Sequence, residues 1–225
     1  MSSIEHVITA RSLGEAWIRS LHAVLTYGTP VHDNADSLLE VCGLYVKIFS
    51  ISDQDPIIRK YANPDRIELM KLKYRSCDII ANYKVSYGKL LYDWMGVNQI
   101  EWVVNRLRYK PETKSATIAL HPPGQEYLSC LSLLDFKIRN NGLNMTAVYR
   151  SQNIYGSQPG NIIALRKIQD YVASKVGVRS GEFNLIALSA HIYEPDLEAA
   201  RQLVSLFPEY SSTSRVKHTK KSKTF

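Results

Sequence analysis

The sequence predicts an α/β (α+β) protein, a twisted mixed β-sheet covered by helices, and three observations predict it. Runs rich in β-branched and aromatic residues, such as Val41–Ile51 and Asn184–His191, read as strands. Apolar residues recur at helical spacing over Leu13–Tyr27, Gln99–Tyr109 and Ile162–Val176. These two kinds of segment are interspersed along the chain, which places helices against a sheet.

Taken in order, Leu13–Tyr27 carries Ala16, Trp17, Ser20, Ala23, Val24 and Tyr27 on one face. Ser12 and Glu15 form a capping box before it, and Gly28 closes it. Val41–Ile51 is the next strand, and Asp53–Pro56 a turn. Residues 57–82 are mixed in pattern, with Asn63-Pro64-Asp65 as a helix entry. Gln99–Tyr109 presents Ile100, Val103, Val104 and Leu107 on one side, and Lys110-Pro111 ends it. Ala116–Leu120 is a short strand broken by His121-Pro122-Pro123-Gly124. Cys130–Ile138 and Leu143–Tyr149 form a hairpin through Asn140-Asn141-Gly142, whose Asn-Gly step tolerates positive φ. Ile162, Leu165, Ile168, Val172 and Val176 give the last of these helices its apolar face, and Gly177 its C-cap.

The 225 residues suit one sizeable domain, read as 1–208, followed by a tail, 209–225. Hydrophobic content of 45% and charged content of 22% are ordinary for a globular protein. No apolar run is long enough to span a bilayer and no signal peptide is evident. Cys42, Cys77 and Cys130 form neither a Cys-x-x-Cys pair nor a zinc pattern, so no metal and a reducing, cytoplasmic setting are expected. The net charge is +7, but Arg215, Lys217, Lys220, Lys221 and Lys223 follow the last acid; without those five the body carries +2. A basic, disordered, solubilising tail is expected, and contact of that tail with nucleic acid stays open.

The chemistry gathers between Cys130 and Tyr193. Cys130, in the apolar run Leu128-Ser129-Cys130-Leu131, suits either an inert core position or a nucleophile. Arg150 and Ser151, at a strand end leading into a helix, could cradle a phosphate or simply face solvent. Asn161 could read a ligand or merely cap the helix it begins. His191 and Tyr193 share a strand face, where such a pair binds hydroxyls or pairs structurally.

Together these residues resemble the thymidylate synthase family, in its short archaeal-type forms. The resemblance rests on the order of Tyr87-Gly88-Lys89, Asn98-Gln99-Ile100, Cys130, Arg150-Ser151, Pro159-x-Asn161, Gly181-Glu182-Phe183 and His191-Ile192-Tyr193. It covers roughly residues 85–200. It implies a single-domain fold with helices on one sheet face and a homodimer packed through the other. It also implies a methyltransferase of dTMP biosynthesis that adds a one-carbon unit from 5,10-methylenetetrahydrofolate to C5 of a pyrimidine nucleotide, dUMP to dTMP, through a Cys–C6 adduct. Cys130 would be the nucleophile, Tyr87 would assist proton removal from C5, and Glu68 is the candidate for the catalytic glutamate. Arg150 would bind phosphate and stabilise the thiolate, Ser151 would join it, Asn161 would read a uracil edge, and His191 and Tyr193 would hold the sugar. Lys114, from the partner subunit, would reach the phosphate.

The chain departs from the family pattern at several of these positions. Asn153 stands where an aspartate usually contacts the folate pterin, and Lys114-Ser115 stands for two arginines. The alternatives are a hydroxymethylase acting on CMP, dCMP or dUMP, and a degenerate homologue that binds nucleotide without turnover.

Overall fold

The computed structural model describes residues 6–33, 36–81, 84, 86–121, 124 and 127–210. The expected tail falls almost wholly outside them. Its described residues, Glu209 and Tyr210, belong to a 3-10 turn that begins at Pro208.

The chain opens on β1 (Val7–Ser12), α1 (Leu13–Tyr27), β2 (Thr29–Asp33) and β3 (Asp36–Ser50). It continues through α2 (Pro56–Tyr61), α3 (Pro64–Arg75), α4 (Tyr87–Tyr92) and α5 (Gln99–Tyr109). After β4 (Thr117–Ala119) come the hairpin β5 (Leu131–Arg139) and β6 (Gly142–Tyr149), then the short β7 (Gln152–Asn153). α6 (Gln158–Val176), β8 (Arg179–Tyr193) and α7 (Leu197–Ser205) complete it. The strands form one mixed sheet in the order β1-β3-β8-β6-β5-β4, with β2 paired to β3 and β7 to β8. β6 and β7 run parallel to β8, whereas β3 runs antiparallel to it.

Along β8, Phe183, Leu185 and Ala187 are buried while Glu182, Asn184, Ile186 and Leu188 are not. Among the described residues, therefore, one face lies under helices and the other does not, in keeping with side-chain alternation. The buried face joins α1, α5 and α6 in one apolar core built on Trp17, Leu44, Phe136, Tyr149 and Phe183.

α1 has the expected bounds, and Ser12 caps it by accepting from the Glu15 backbone N–H. Glu15 does not close the box on Ser12: its carboxylate accepts from the Arg11 N–H and pairs with Arg19. Gly28 ends the helix in an extended conformation, φ −67°, with its N–H on the Val24 carbonyl. In the β5–β6 turn the positive φ values belong to Asn140 and Asn141, at 51° and 59°. The turn thus sits one residue earlier than Asn141-Gly142, and Gly142 is already strand. α6 begins at Gln158 rather than Ile162, so Asn161 lies inside the helix and is not its N-cap. The first turns of α6 are buried all round, between the sheet and α3, which hides the start from a reading of amphipathic period. Close packing there requires Gly160, whose Cβ would stand 2.9 Å from Met70 Cβ.

One buried carboxylate ties the N-terminal layer together. Asp55 accepts from the N–H groups of Ile57 (2.9 Å) and Ile58 (3.3 Å) in α2, and of Gly14 (3.0 Å) in α1. Asp55→Ala strands three amide donors, so a loss of about 2–4 kcal/mol in urea unfolding is expected. A loss below about 1 kcal/mol would contradict this role.

Candidate functional site

The end of the sheet that carries Cys130 is built by β5, β6 and the β6–β7 turn. The Arg150 N–H donates to the Cys130 carbonyl at 2.9 Å, so nucleophile candidate and arginine face each other across adjacent strands. The Arg150 guanidinium reaches back along the Cys130 segment, Nε donating to the Ser129 carbonyl (3.1 Å) and Nη2 to that of Leu128 (3.0 Å). His121 Nε2 is 2.7 Å from the Ser129 carbonyl and fixes the same segment from the other side. A bulge in β5 between Leu131 and Leu133 frees the strand from strict register beside Cys130. Cys130 itself is half-buried, and all three cysteines are unpaired.

Below the sulfur lies a cluster of phenols. The Tyr87 hydroxyl accepts from the Leu131 N–H at 3.3 Å and stands within hydrogen-bonding reach of the Cys130 sulfur. Tyr87 comes from α4, a helix started by Ser86, whose Oγ accepts from the Lys89 N–H and donates to the Ser76 carbonyl. That second bond holds α4 against the end of α3. The Tyr74 ring meets Tyr87 edge-on at 4.7 Å, and the Tyr74 hydroxyl shares a very short hydrogen bond with that of Tyr149. Burial pushes Tyr74, Tyr87 and Tyr149 all upward, so the cluster is neutral and offers O–H donors.

On the β8 side, the His191 and Tyr193 rings contact edge-on at 5.0 Å. Burial holds His191 below the ordinary histidine value, and one ring nitrogen bonds the Ser189 backbone. The imidazole is therefore neutral, and Nε2 is buried with no partner. Burial likewise raises Tyr193. Asn161 projects from α6 with Nδ2 donating to Gln152 Oε1 at 3.3 Å, while Asn161 Oδ1 and Gln152 Nε2 are buried and unpartnered. Gln152 is a site residue that motif order alone does not disclose. Strand alternation, which turns it inward between Ser151 and Asn153, is the signal for it. Ser151 is half-buried at the turn.

The remaining expected residues fare differently. Glu68 is not brought to Cys130: its side chain is 69% exposed and pairs with Lys71. Helical period is the reason, because Met70, Lys73 and Tyr74 form the buried stripe of α3 and Glu68 faces away. The charged side chain on that buried stripe is instead Lys73. Lys114 precedes β4 level with the far end of β5, roughly 25 Å of strand from Cys130. It is exposed and does not reach the Cys130 of its own chain. Asn153 uses Oδ1 to accept from the Gly156 N–H at 2.9 Å, closing the turn before α6. Gly156 lines a cleft of about 400 Å³ with Trp17, Tyr61, Tyr155, Arg66 and Gly160. α3 runs from this cleft, at Ile67, to the cysteine, at Lys73, a distance of about 9 Å.

No helix among the described residues is long and apolar enough to cross a membrane. A family model described as thymidylate synthase matches residues 70–225. A "Putative thymidylate synthase" of Methanosarcina mazei is 32% identical over 208 residues, covering 89% of this chain and 95% of its own. One of the same description from Methanothermobacter marburgensis is 27% identical, covering 88% of this chain and 97% of its own. With a mixed sheet under helices, and Cys130, Arg150, Asn161 and His191 brought toward one end of it, the chain belongs to the thymidylate synthase family, alongside its short archaeal forms.

Proposed function

We propose that the protein transfers a one-carbon unit from 5,10-methylenetetrahydrofolate to C5 of a pyrimidine nucleotide, converting dUMP to dTMP, in a reducing, cytoplasmic setting. The observation that carries this reading is the set of buried, unpartnered polar atoms around the Cys130 end of the sheet: Gln152 Nε2, Asn161 Oδ1 and His191 Nε2. Each costs the fold about 1–3 kcal/mol unless something pairs with it. A polar, flat ligand supplies the partners. Asn161 Oδ1 accepts from a uracil N3–H, and the second Nδ2 hydrogen is available to O4. Neutral His191 accepts from a sugar hydroxyl, with Tyr193 beside it. Arg150 and Ser151 face the phosphate.

In this mechanism the Cys130 thiolate forms a bond to C6, and the C5–C6 π electrons move through C5 onto O4, where the Asn161 amide stabilises the enolate. C5 becomes the carbon nucleophile. Tyr87, held between the Leu131 N–H and the sulfur, positions water for removal of the C5 proton. Departure of the sulfur restores the ring. When bound, the folate would supply the one-carbon unit, its two nitrogens taking the electron pairs of the C–N bonds that break as the C5–carbon bond forms and the C5 proton leaves, and, for a methyl product, the hydride. The aromatic cleft of Trp17, Tyr61 and Tyr155 beside Asn153 suits a bicyclic pterin.

One observation favours hydroxymethylation as a second reading: the Asn153 oxygen is committed to its own turn, so it is not open to the pterin. The homodimer belongs to the same proposal. Tyr45, Ile186, Val148 and Leu133 pair in register across four strands on the sheet face that no described helix covers. Such an apolar row suits burial against a second copy, from which Lys114 would act.

The test is incubation with 5-fluoro-dUMP and methylenetetrahydrofolate, followed by mass spectrometry. A covalent ternary adduct on Cys130 is expected. Absence of an adduct on folded protein refutes the transfer reaction, and product analysis separates methyl from hydroxymethyl.

A further inference from the structure

We propose that Lys73 is a positioning residue that keeps Cys130 ionised, its ammonium supplying the countercharge to the thiolate from beneath the Tyr87 ring. The inference rests on Cys130 being the nucleophile of the proposed reaction.

Four observations support it. Lys73 is 7% exposed and sits in the apolar stripe of α3 between Met70 and Tyr74, where lysine is rarely found without a purpose. Its Nζ stands 4.2 Å from the centre of the Tyr87 ring, the same tyrosine whose hydroxyl reaches the Cys130 sulfur. Burial lowers Lys73 while the charge of Cys130 works the other way, which places the lysine within electrostatic range of the cysteine. The other cation at this end of the sheet, Arg150, has two of its donors committed to the carbonyls of Ser129 and Leu128.

Among the described residues, the tyrosines packed around the pair are neutral. α4 contributes Tyr87, α3 Tyr74, β6 Tyr149 and β8 Tyr193, all raised by burial. α6, packed on the same helix, sends Lys167 toward Glu68 on the opposite side. Burial lowers Lys73 to about 8, so it remains mostly protonated at neutral pH. Ionisation then requires only that the thiol proton leave the sulfur for solvent, and no redox partner takes part. Two features hold the resulting anion: the ammonium and the Tyr87 O–H, itself oriented by the Leu131 N–H.

Iodoacetamide alkylation of Cys130 tests this without nucleotide or folate, so its failure is distinguishable from failure of the transfer reaction. Cys42 and Cys77, both exposed, are first replaced by serine. In that background Lys73→Met is expected to slow alkylation at neutral pH by about tenfold or more, with rates converging near pH 10, where any thiol ionises. Lys73→Arg, which keeps the charge, is expected to recover most of the neutral-pH rate. An unchanged neutral-pH rate in Lys73→Met overturns the proposal. So does slowing by the same factor at every pH, which marks a structural role. Should Lys73→Met fail to fold, the unsubstituted Lys73 protein decides. Its ultraviolet thiolate absorbance, taken as a difference from Cys130→Ser, is expected to persist at neutral pH, and titration in the ordinary thiol range near about 8.5 overturns the idea.

Discussion

Cys130→Ser is expected to lower turnover by at least about a thousandfold while leaving nucleotide affinity within about threefold. A hydroxyl is the wrong nucleophile for C6, because it stays protonated where a thiol ionises. The substitution changes little else. Cys130 is half-buried, and what holds its segment is backbone: the Arg150 N–H on its carbonyl, and the Arg150 side chain on Leu128 and Ser129. Serine leaves those bonds intact. In the proposed complex binding rests with other groups, among them Asn161, His191 and Arg150. Single-turnover kinetics and calorimetric titration with dUMP check the two halves separately. Retention of more than a tenth of the activity would remove the covalent mechanism, and with it the reason for a phenol and a buried lysine beside this sulfur.

Asn161→Asp is expected to lower kcat/KM for dUMP by about a hundredfold or more and to shift preference toward the corresponding cytosine nucleotide. Asn161 is 4% exposed, so water cannot repair a mismatch there. Its amide offers an acceptor to N3–H and a donor to O4. A cytosine edge inverts both, with an amine at C4 and a bare N3. A carboxylic acid kept neutral by burial donates to N3 and accepts from the amine. Gln152 is placed to adapt, because its unpartnered Nε2 can turn to the new oxygen in place of Oε1. Steady-state rates on dUMP and dCMP decide the matter. Unaltered selectivity would mean that position 161 does not read the base.

The buried lysine is where folding and function conflict. A lysine held at about 8 instead of its ordinary 10.5 weakens the fold by an amount on the order of 3 kcal/mol while it is protonated. The unfolded chain binds that proton more tightly. The penalty is therefore in full force below about pH 8 and fades as pH rises toward the ordinary lysine range. Methionine at position 73 would relieve it, which makes a structural reason for the lysine hard to sustain.

Much of the fold is legible because local signals coincide there. α1 and α5 have the expected bounds: each joins an apolar stripe to a capping residue, Ser12 and Asn98. β1, β2 and β7 carry no such signal. They are short, and β7 pairs only two residues with β8, so their existence is settled by partners far away in sequence. α4 is equally short, and its start depends on the Ser76 carbonyl, ten residues back. The beginning of α6 is hidden for a different reason, because its first turns are buried on every side and show no polar face.

By itself the sequence determined the fold class, the order of Cys130, Arg150, Asn161 and His191-Ile192-Tyr193 along the chain, and the family those motifs resemble. Strand and helix periods and short motifs are local properties, and they survive in one dimension. Only the tertiary structure decided that Arg150 lies across from Cys130, that Asn161 leans on Gln152, and that Glu68 faces solvent while Lys73 lies over the Tyr87 ring. The last of these turns on which side of α3 meets the sheet, and that is fixed by the packing of Met70 and Tyr74 against α6 and the phenol cluster rather than by any pattern within the helix.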